Sequence, residues 1–213
     1  MIKANYPTDK FKNIRTPFYY YDLEVLRKTL KEINFQASPA NYTVHYAMKA
    51  NVNPRVLEVI KEAGLGADCV SGGEVQAAIN AGIPTSKIVF AGVGKADWEI
   101  NLGLDNDIFC FNAESIPELE VINELAVAKG KTAQIALRIN PNVSAHTHKY
   151  ITTGLNENKF GINIEDIEKV IALFPSLKNL RLVGIHFHIG SQITDMTSFH
   201  NLCVRITEIQ DIF

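Results

Sequence analysis

Three side chains of this 213-residue chain could do covalent and acid–base chemistry together: Lys49, Arg138 and His188. Each lies near the end of a short apolar run of β type: Thr43–Lys49, Ala133–Asn140 and Leu182–Ile189. A lysine whose pKa is depressed by low polarity or by neighbouring cations becomes a nucleophile and can form a Schiff base with an aldehyde. An imidazole offers a flat face to a ring, and a guanidinium offers charge to an anion. Each residue also has an ordinary explanation, since a strand-end lysine can snorkel to solvent and a lone histidine is commonly a hydrogen-bonded core residue. Their coincidence on matching strand faces favours a shared site.

That matching follows from strand parity, because alternate residues face opposite ways. His45, Ala47 and Lys49 oppose Val44, Tyr46 and Met48; Ala136, Arg138 and Asn140 oppose Ile135, Leu137 and Ile139. In the last run Gly184, His186, His188 and Gly190 oppose Val183, Ile185, Phe187 and Ile189. One face of each strand suits packed helices, and the other is small or cationic. If the second faces line a barrel interior, Lys49, Arg138 and His188 gather near the C-terminal ends of the strands, where barrel enzymes keep their chemistry. Converging buried cations require an anionic ligand or carboxylate partners. Asp68 and Glu74 are near in sequence, and a cofactor phosphate would serve as well. The segment Ser71-Gly72-Gly73-Glu74 also reads as a capping box that needs no ligand.

Six strand candidates carry these residues: 43–49, 66–70, 87–91, 108–112, 133–140 and 182–189. Their starts are 23, 21, 21, 25 and 49 residues apart, the spacing of repeated β/α units. Asp22 can cap a helix over 23–33, Asn53-Pro54 opens another that Gly64 ends, and Ser115-Ile116-Pro117-Glu118 reads as a second capping box. Such an α/β chain is either an open doubly wound sheet or part of a (β/α)8 TIM-type barrel. The dinucleotide fingerprint is missing after the first strand, and Gly92-Val93-Gly94-Lys95 lacks the first glycine and the Ser/Thr of a phosphate loop. A barrel is therefore expected, with about six of its eight β/α units present. A full barrel takes about 250 residues, and Phe213 falls inside a helical pattern that begins near Thr197, so an N-terminal piece of a longer protein is expected.

Apolar residues make up 46% and charged residues 21%, enough for a sizeable core. The net charge of −2, without long runs of either sign, argues against nucleic-acid or anionic-membrane partners. No apolar stretch suits a signal peptide or approaches the ~20 residues that cross a bilayer. Cys69, Cys110 and Cys203 form an odd set without metal-type spacing, which fits a reducing cytoplasm. No metal is expected: His186 and His188 share a face, as do His146 and His148 if extended, but no carboxylate is placed with them. The long connection between Pro141 and Gly161, with His146-Thr147-His148, Thr152-Thr153-Gly154 and Lys159-Phe160-Gly161, is expected to be functional.

Pyridoxal phosphate suits this set, since it needs a lysine, a flat group against its ring and donors for its phosphate; Lys49, His188 and Ser191 are the candidates. No acidic residue could be assigned to its ring nitrogen. Here the residues meet a known pattern. Tyr46-Ala47-Met48-Lys49-Ala50-Asn51 and His188-Ile189-Gly190-Ser191-Gln192 resemble signatures of the alanine-racemase-fold (fold type III) pyridoxal phosphate decarboxylases. Asp68-Cys69-Val70-Ser71-Gly72-Gly73-Glu74 and Arg138-Ile139-Asn140-Pro141 look like that family too. The loop with Ala145-His146-Thr147-His148, Thr153-Gly154 and Lys159-Phe160-Gly161 narrows the resemblance to the diaminopimelate decarboxylases. The likeness runs in order from Thr16 onward.

The resemblance implies that Lys49 binds the cofactor covalently, that His188 stacks on its ring, and that Ser191 contacts its phosphate. Arg138 would lie beside the cofactor, with Asp68 and Glu74 supporting that region. The implied reaction removes a carboxylate from meso-2,6-diaminopimelate, giving L-lysine and carbon dioxide, in a homodimer of the full-length protein. Residues 1–21 would pair with a C-terminal β-domain absent from this chain, Phe18–Tyr21 as a strand, and 22–213 would form the incomplete barrel domain. A glycine-rich phosphate loop, a ring-nitrogen glutamate and a partner-subunit cysteine would all lie beyond Phe213, so this piece alone is expected to be inactive. Decarboxylases of ornithine, arginine or carboxynorspermidine, a non-catalytic pyridoxal phosphate-binding barrel and a metal-dependent barrel hydrolase are the rival readings.

Overall fold

A computed structural model of the chain describes residues 6–141 and 160–213. A one-turn helix, α1 (Thr8–Phe11), and an aromatic stretch lead to α2 (Leu23–Ala37). Asp22 opens α2 by accepting the backbone N–H groups of Glu24 and Val25, an N-cap that satisfies two otherwise orphaned donors. From there β1 (His45–Ala47), α3 (Pro54–Glu62), β2 (Gly66–Cys69), α4 (Gly72–Asn80) and β3 (Ile88–Phe90) alternate. The alternation continues through α5 (Asp97–Asp105), β4 (Cys110–Ala113), α6 (Ile116–Lys129), β5 (Ala133–Arg138), α7 (Ile167–Leu173) and β6 (Leu180–His186), and α8 (Thr197–Gln210) follows.

All five strand pairings are parallel and the order across the sheet is sequential, β1 to β6. A doubly wound sheet would reverse its order at a switch point; unbroken sequential winding is that of a β/α barrel. The helix starts carry the chemistry expected of them. Asn53 caps α3 with Pro54 in its first turn, while Ser71 and Ser115 accept the N–H of Glu74 and Glu118. The two glutamates reach back one residue further than a standard capping box, to the N–H of Val70 and of Glu114.

The core fills the space between the sheet and its helices. Ala67, Cys69, Ile88, Phe90, Phe111, Ile135 and Leu137 point outward onto Leu57, Val75, Ile100, Leu119 and Ile122, and all are buried. Each large side chain so buried contributes about 1.5–3 kcal/mol relative to exposure. Burial also pushes the free thiols of Cys69 and Cys110 upward in pKa, that of Cys110 to about 12.

Three local features depart from simple parity. β1 stops at Ala47, and Met48–Ala50 form a single 3-10 turn whose Met48 side chain is fully buried. The pairing of β5 with β6 contains a bulge: Ile135 pairs with Leu182 but Ala136 pairs with Gly184. The extra residue, Val183, switches the faces of β6, so Leu182 packs on the core while Gly184 and His186 turn to the other side. The stretch 18–21 carries no strand; Phe18 and Tyr20 lie edge-on to Phe11, while Tyr19 and Tyr21 stack on each other and are exposed.

Candidate active site

Lys49 is exposed on the 3-10 turn that follows β1, and it lines a pocket of about 340 Å³ at the C-terminal end of the sheet. The same pocket is lined by Asp68, Glu114, Arg138, His186 and His188. Registers explain the gathering. Asp68 pairs with Ala47 and Val89, while Arg138 pairs with His186, so residues of one parity stack toward the strand ends.

Arg138 ends β5 and is held by two neighbours. Its Nη1 donates to Glu114 Oε2 at 2.7 Å, and its guanidinium lies 5.7 Å from the centre of the Phe160 ring. Its carbonyl accepts the N–H of Ile162 at 2.8 Å. Gly161 passes so close that a Cβ there would lie 2.9 Å from that carbonyl oxygen, and its φ of +105° favours glycine independently. The residues His146, His148, Thr153, Gly154 and Lys159 of this connection lie outside the described residues.

Both pocket histidines are lowered in pKa. His186 is pushed down to about 4, by burial first and then by Arg138, His188 and Lys95, and its Nδ1 is buried without a partner in the described structure. His188, two residues beyond β6, is exposed at the mouth yet also lowered; desolvation leads, Arg138 and Lys49 add, and Glu114 opposes. Asp68 is raised by burial, against the pull of Lys49 and with a smaller push from Glu74. The arrangement offers a reachable amine, imidazoles of lowered pKa and a guanidinium fixed in place, which together suit an aldehyde, a flat ring and an anionic group.

Ser191 and Glu74 stand apart from these groups. Ser191 is exposed beyond Gly190 and is not among the residues lining the pocket. Glu74 sits in the first turn of α4, its carboxylate accepting the Val70 N–H at 2.8 Å.

Residues 24–212 match the family described as pyridoxal-dependent decarboxylase, pyridoxal binding domain. The chain belongs to this family. Within these pyridoxal-dependent decarboxylases, it is 63% identical over 211 residues to the diaminopimelate decarboxylase of Bacteroides thetaiotaomicron, covering 99% of this chain and 55% of that protein. It is 41% identical over 196 residues to the diaminopimelate decarboxylase of Aquifex aeolicus, covering 92% of this chain and 46% of that protein. The solved diaminopimelate decarboxylase of Helicobacter pylori, complexed with L-lysine, superposes with a TM-score of 0.85 at 38% identity, over 96% of this chain and 52% of that one. The chain thus spans about half the length of the relatives it matches.

The pocket fits the cofactor that names these pyridoxal-dependent decarboxylases. Its volume is in the range of a small-ligand site, and an exposed lysine shares it with imidazole and guanidinium groups. Among the described residues no group of three or more His, Cys, Asp or Glu could hold a metal, and no helix is long and apolar enough to cross a membrane.

Glu114 in the pocket and Lys95 behind it carry little signal of their own in the sequence. Glu114 lies one residue past β4, on the parity of Cys110 and Asn112; extending that strand's alternation by two positions reaches it. Lys95 lies in the segment tested only as a phosphate loop, and its side chain is turned inward and buried. No sequence signal separates it from a surface lysine.

Proposed function

We propose that the natural protein carrying this chain decarboxylates meso-2,6-diaminopimelate to L-lysine and carbon dioxide with pyridoxal phosphate. The convergence of Lys49, Arg138, His186 and His188 on one pocket carries the reading, together with the relatives' shared activity name. Pyridoxal phosphate, when bound, supplies an aldehyde that takes up an amine and a ring that accepts the electron pair left by a departing carboxylate.

The chain's own residues do the holding. Lys49 would bind the aldehyde carbon through Nζ and, once displaced by the substrate amine, stay within reach to recapture it. His188 would lie flat against the ring. Its lowered pKa suits this, because a neutral imidazole stacks without repelling the neighbouring cations. Arg138, anchored by Glu114, would steer an anionic group, and Ser191 would donate to the phosphate. Asp68 and Glu74 would support the cofactor region. The relatives' family pattern also leads us to infer a cytoplasmic homodimer. In it residues 1–21 dock on a further β-rich domain beside the 22–213 barrel; the exposed rings of Tyr19, Tyr20 and Tyr21 support that docking.

The test is carbon dioxide release by the purified natural protein with pyridoxal phosphate, comparing meso-diaminopimelate, L-ornithine and L-arginine. Turnover restricted to diaminopimelate with L-lysine as product is expected. Turnover of ornithine or arginine instead would move the assignment to another decarboxylase, and binding without any turnover would make the protein a cofactor carrier.

A further inference from the structure

Lys95 lies outside the pocket lining, yet it stands at the root of the contacts that hold the pocket wall. Its side chain is 1% exposed. Its ammonium makes three hydrogen bonds: to Gly92 O at 2.8 Å, Asn112 O at 3.0 Å and Glu118 Oε1 at 2.5 Å. An ammonium has three donors, so none is left over. The other Glu118 oxygen, Oε2, accepts the Glu114 backbone N–H at 2.8 Å. Glu114 in turn accepts the Gly92 N–H through Oε1 at 2.9 Å and Arg138 Nη1 through Oε2 at 2.7 Å. The Gly92 peptide is therefore held at both ends by the same network, in a backbone with φ +110° that brings it against the Val70 carbonyl.

The charges close on themselves. Two nearly buried carboxylates, Glu114 and Glu118, face two cations, Lys95 and Arg138. Without Lys95, two nearly buried carboxylates would share one cation and leave a negative charge uncompensated in low polarity. The grip on Arg138 would weaken, although Lys95 makes no hydrogen bond to Arg138 and meets the pocket lining only through the Gly92 carbonyl.

We propose that Lys95 is a positioning residue for the pocket: through Glu118 and Gly92 it orients Glu114, and through Glu114 the Arg138 guanidinium that meets an anionic group of the bound cofactor or substrate. This rests on the pyridoxal reading above. A merely structural ion pair would affect stability alone, and replacing both of its members with apolar residues would then restore everything together.

The experiment measures the pyridoxal phosphate dissociation constant and the thermal midpoint of the natural protein and three variants: Lys95→Met, Glu118→Gln, and Lys95→Met combined with Glu118→Leu. Lys95→Met should raise the dissociation constant at least tenfold and lower the midpoint. The double variant should regain much of the midpoint but keep at least a fivefold weaker cofactor affinity. Glu118→Gln, the mildest change, should weaken binding about threefold, and it decides the matter if the others do not fold. Wild-type affinity in the folded variants, or affinity recovering in step with stability, overturns the proposal. If the unsubstituted protein takes up no pyridoxal phosphate, the pyridoxal reading fails instead. The side-chain nitrogen resonances of Arg138 then report whether Glu118→Gln or Lys95→Met disturbs the guanidinium, and unchanged resonances overturn the positioning role.

Discussion

Glu114 and Arg138 form a buried pair that ties the end of β4 to the end of β5, with Glu114 Oε2 and Arg138 Nη1 2.7 Å apart and side-chain exposures of 3% and 14%. The other carboxylate oxygen accepts the Gly92 N–H, so the same group also fixes the turn after β3. Removing one partner of such a pair leaves an uncompensated charge in low polarity, which costs about 3–5 kcal/mol. We expect Glu114→Ala to lower the unfolding free energy by about 3 kcal/mol, measured by urea titration. A change below about 1 kcal/mol, the level of an exposed pair, would show that solvent screens the contact.

Close packing at the opposite end of the barrel is equally testable. A Cβ on Gly66 would fall 2.4 Å from the Lys87 carbonyl oxygen and 2.4 Å from the His45 ring. The carbonyl belongs to the backbone and cannot swing aside, so Gly66→Ala should destabilise by about 2–3 kcal/mol. Gly94→Ala, where nothing lies within 4 Å of the added atom, serves as the control in the same thermal melts. Equal melting points for the two variants would contradict the packing described.

The lowered histidine pKa values set a pH dependence of known sign. His186 titrates near 6.5 when unfolded and near 4 when folded, so between those values the unfolded chain binds more protons. Its stabilising contribution is complete above about pH 6.5 and is lost as pH falls toward 4, on the order of 3 kcal/mol in all. His45 and His188 act in the same direction, while the raised Asp68 carboxyl partly offsets them at the acid end. The thermal midpoint should fall between pH 7 and 4.5, and His186→Phe should flatten that fall. An unchanged slope in the variant would mean that His186 titrates alike in the folded and unfolded chain, against the burial described.

Thiol chemistry distinguishes the three cysteines. Cys69 and Cys110 are buried with raised pKa values, while Cys203 is exposed on α8. Alkylation of the native protein at pH 8, followed by mass mapping, should modify Cys203 well before the other two, and all three should react in denaturant.

Much of this architecture could be read from residue types, and the failures have physical causes. Six strand runs and their capping residues were visible because alternation and N-caps are local properties of the chain. Lys49 was expected to reach the pocket by strand parity. It arrives instead by a 3-10 turn, because Met48 is drawn into the core and ends β1 early. Alternation put Gly184 and His186 opposite Ile185 and Phe187, as in the structure, but it could not give the bulge opposite Ile135 and Ala136, which turns Leu182 to the core side and takes Val183 out of the alternation. Lys95 and Glu118 are 23 residues apart and come together only because β3 and β4 are neighbours, a long-range fact that no local pattern carries.

Covalent capture of the cofactor at one lysine is the central claim. The direct measurement is borohydride reduction of the natural protein after incubation with pyridoxal phosphate, then digestion and mass mapping of the modified peptide. A single stoichiometric adduct on Lys49, absent from Lys49→Ala, is the expected result. An adduct spread over surface lysines, or none at any lysine under saturating cofactor, would contradict the account.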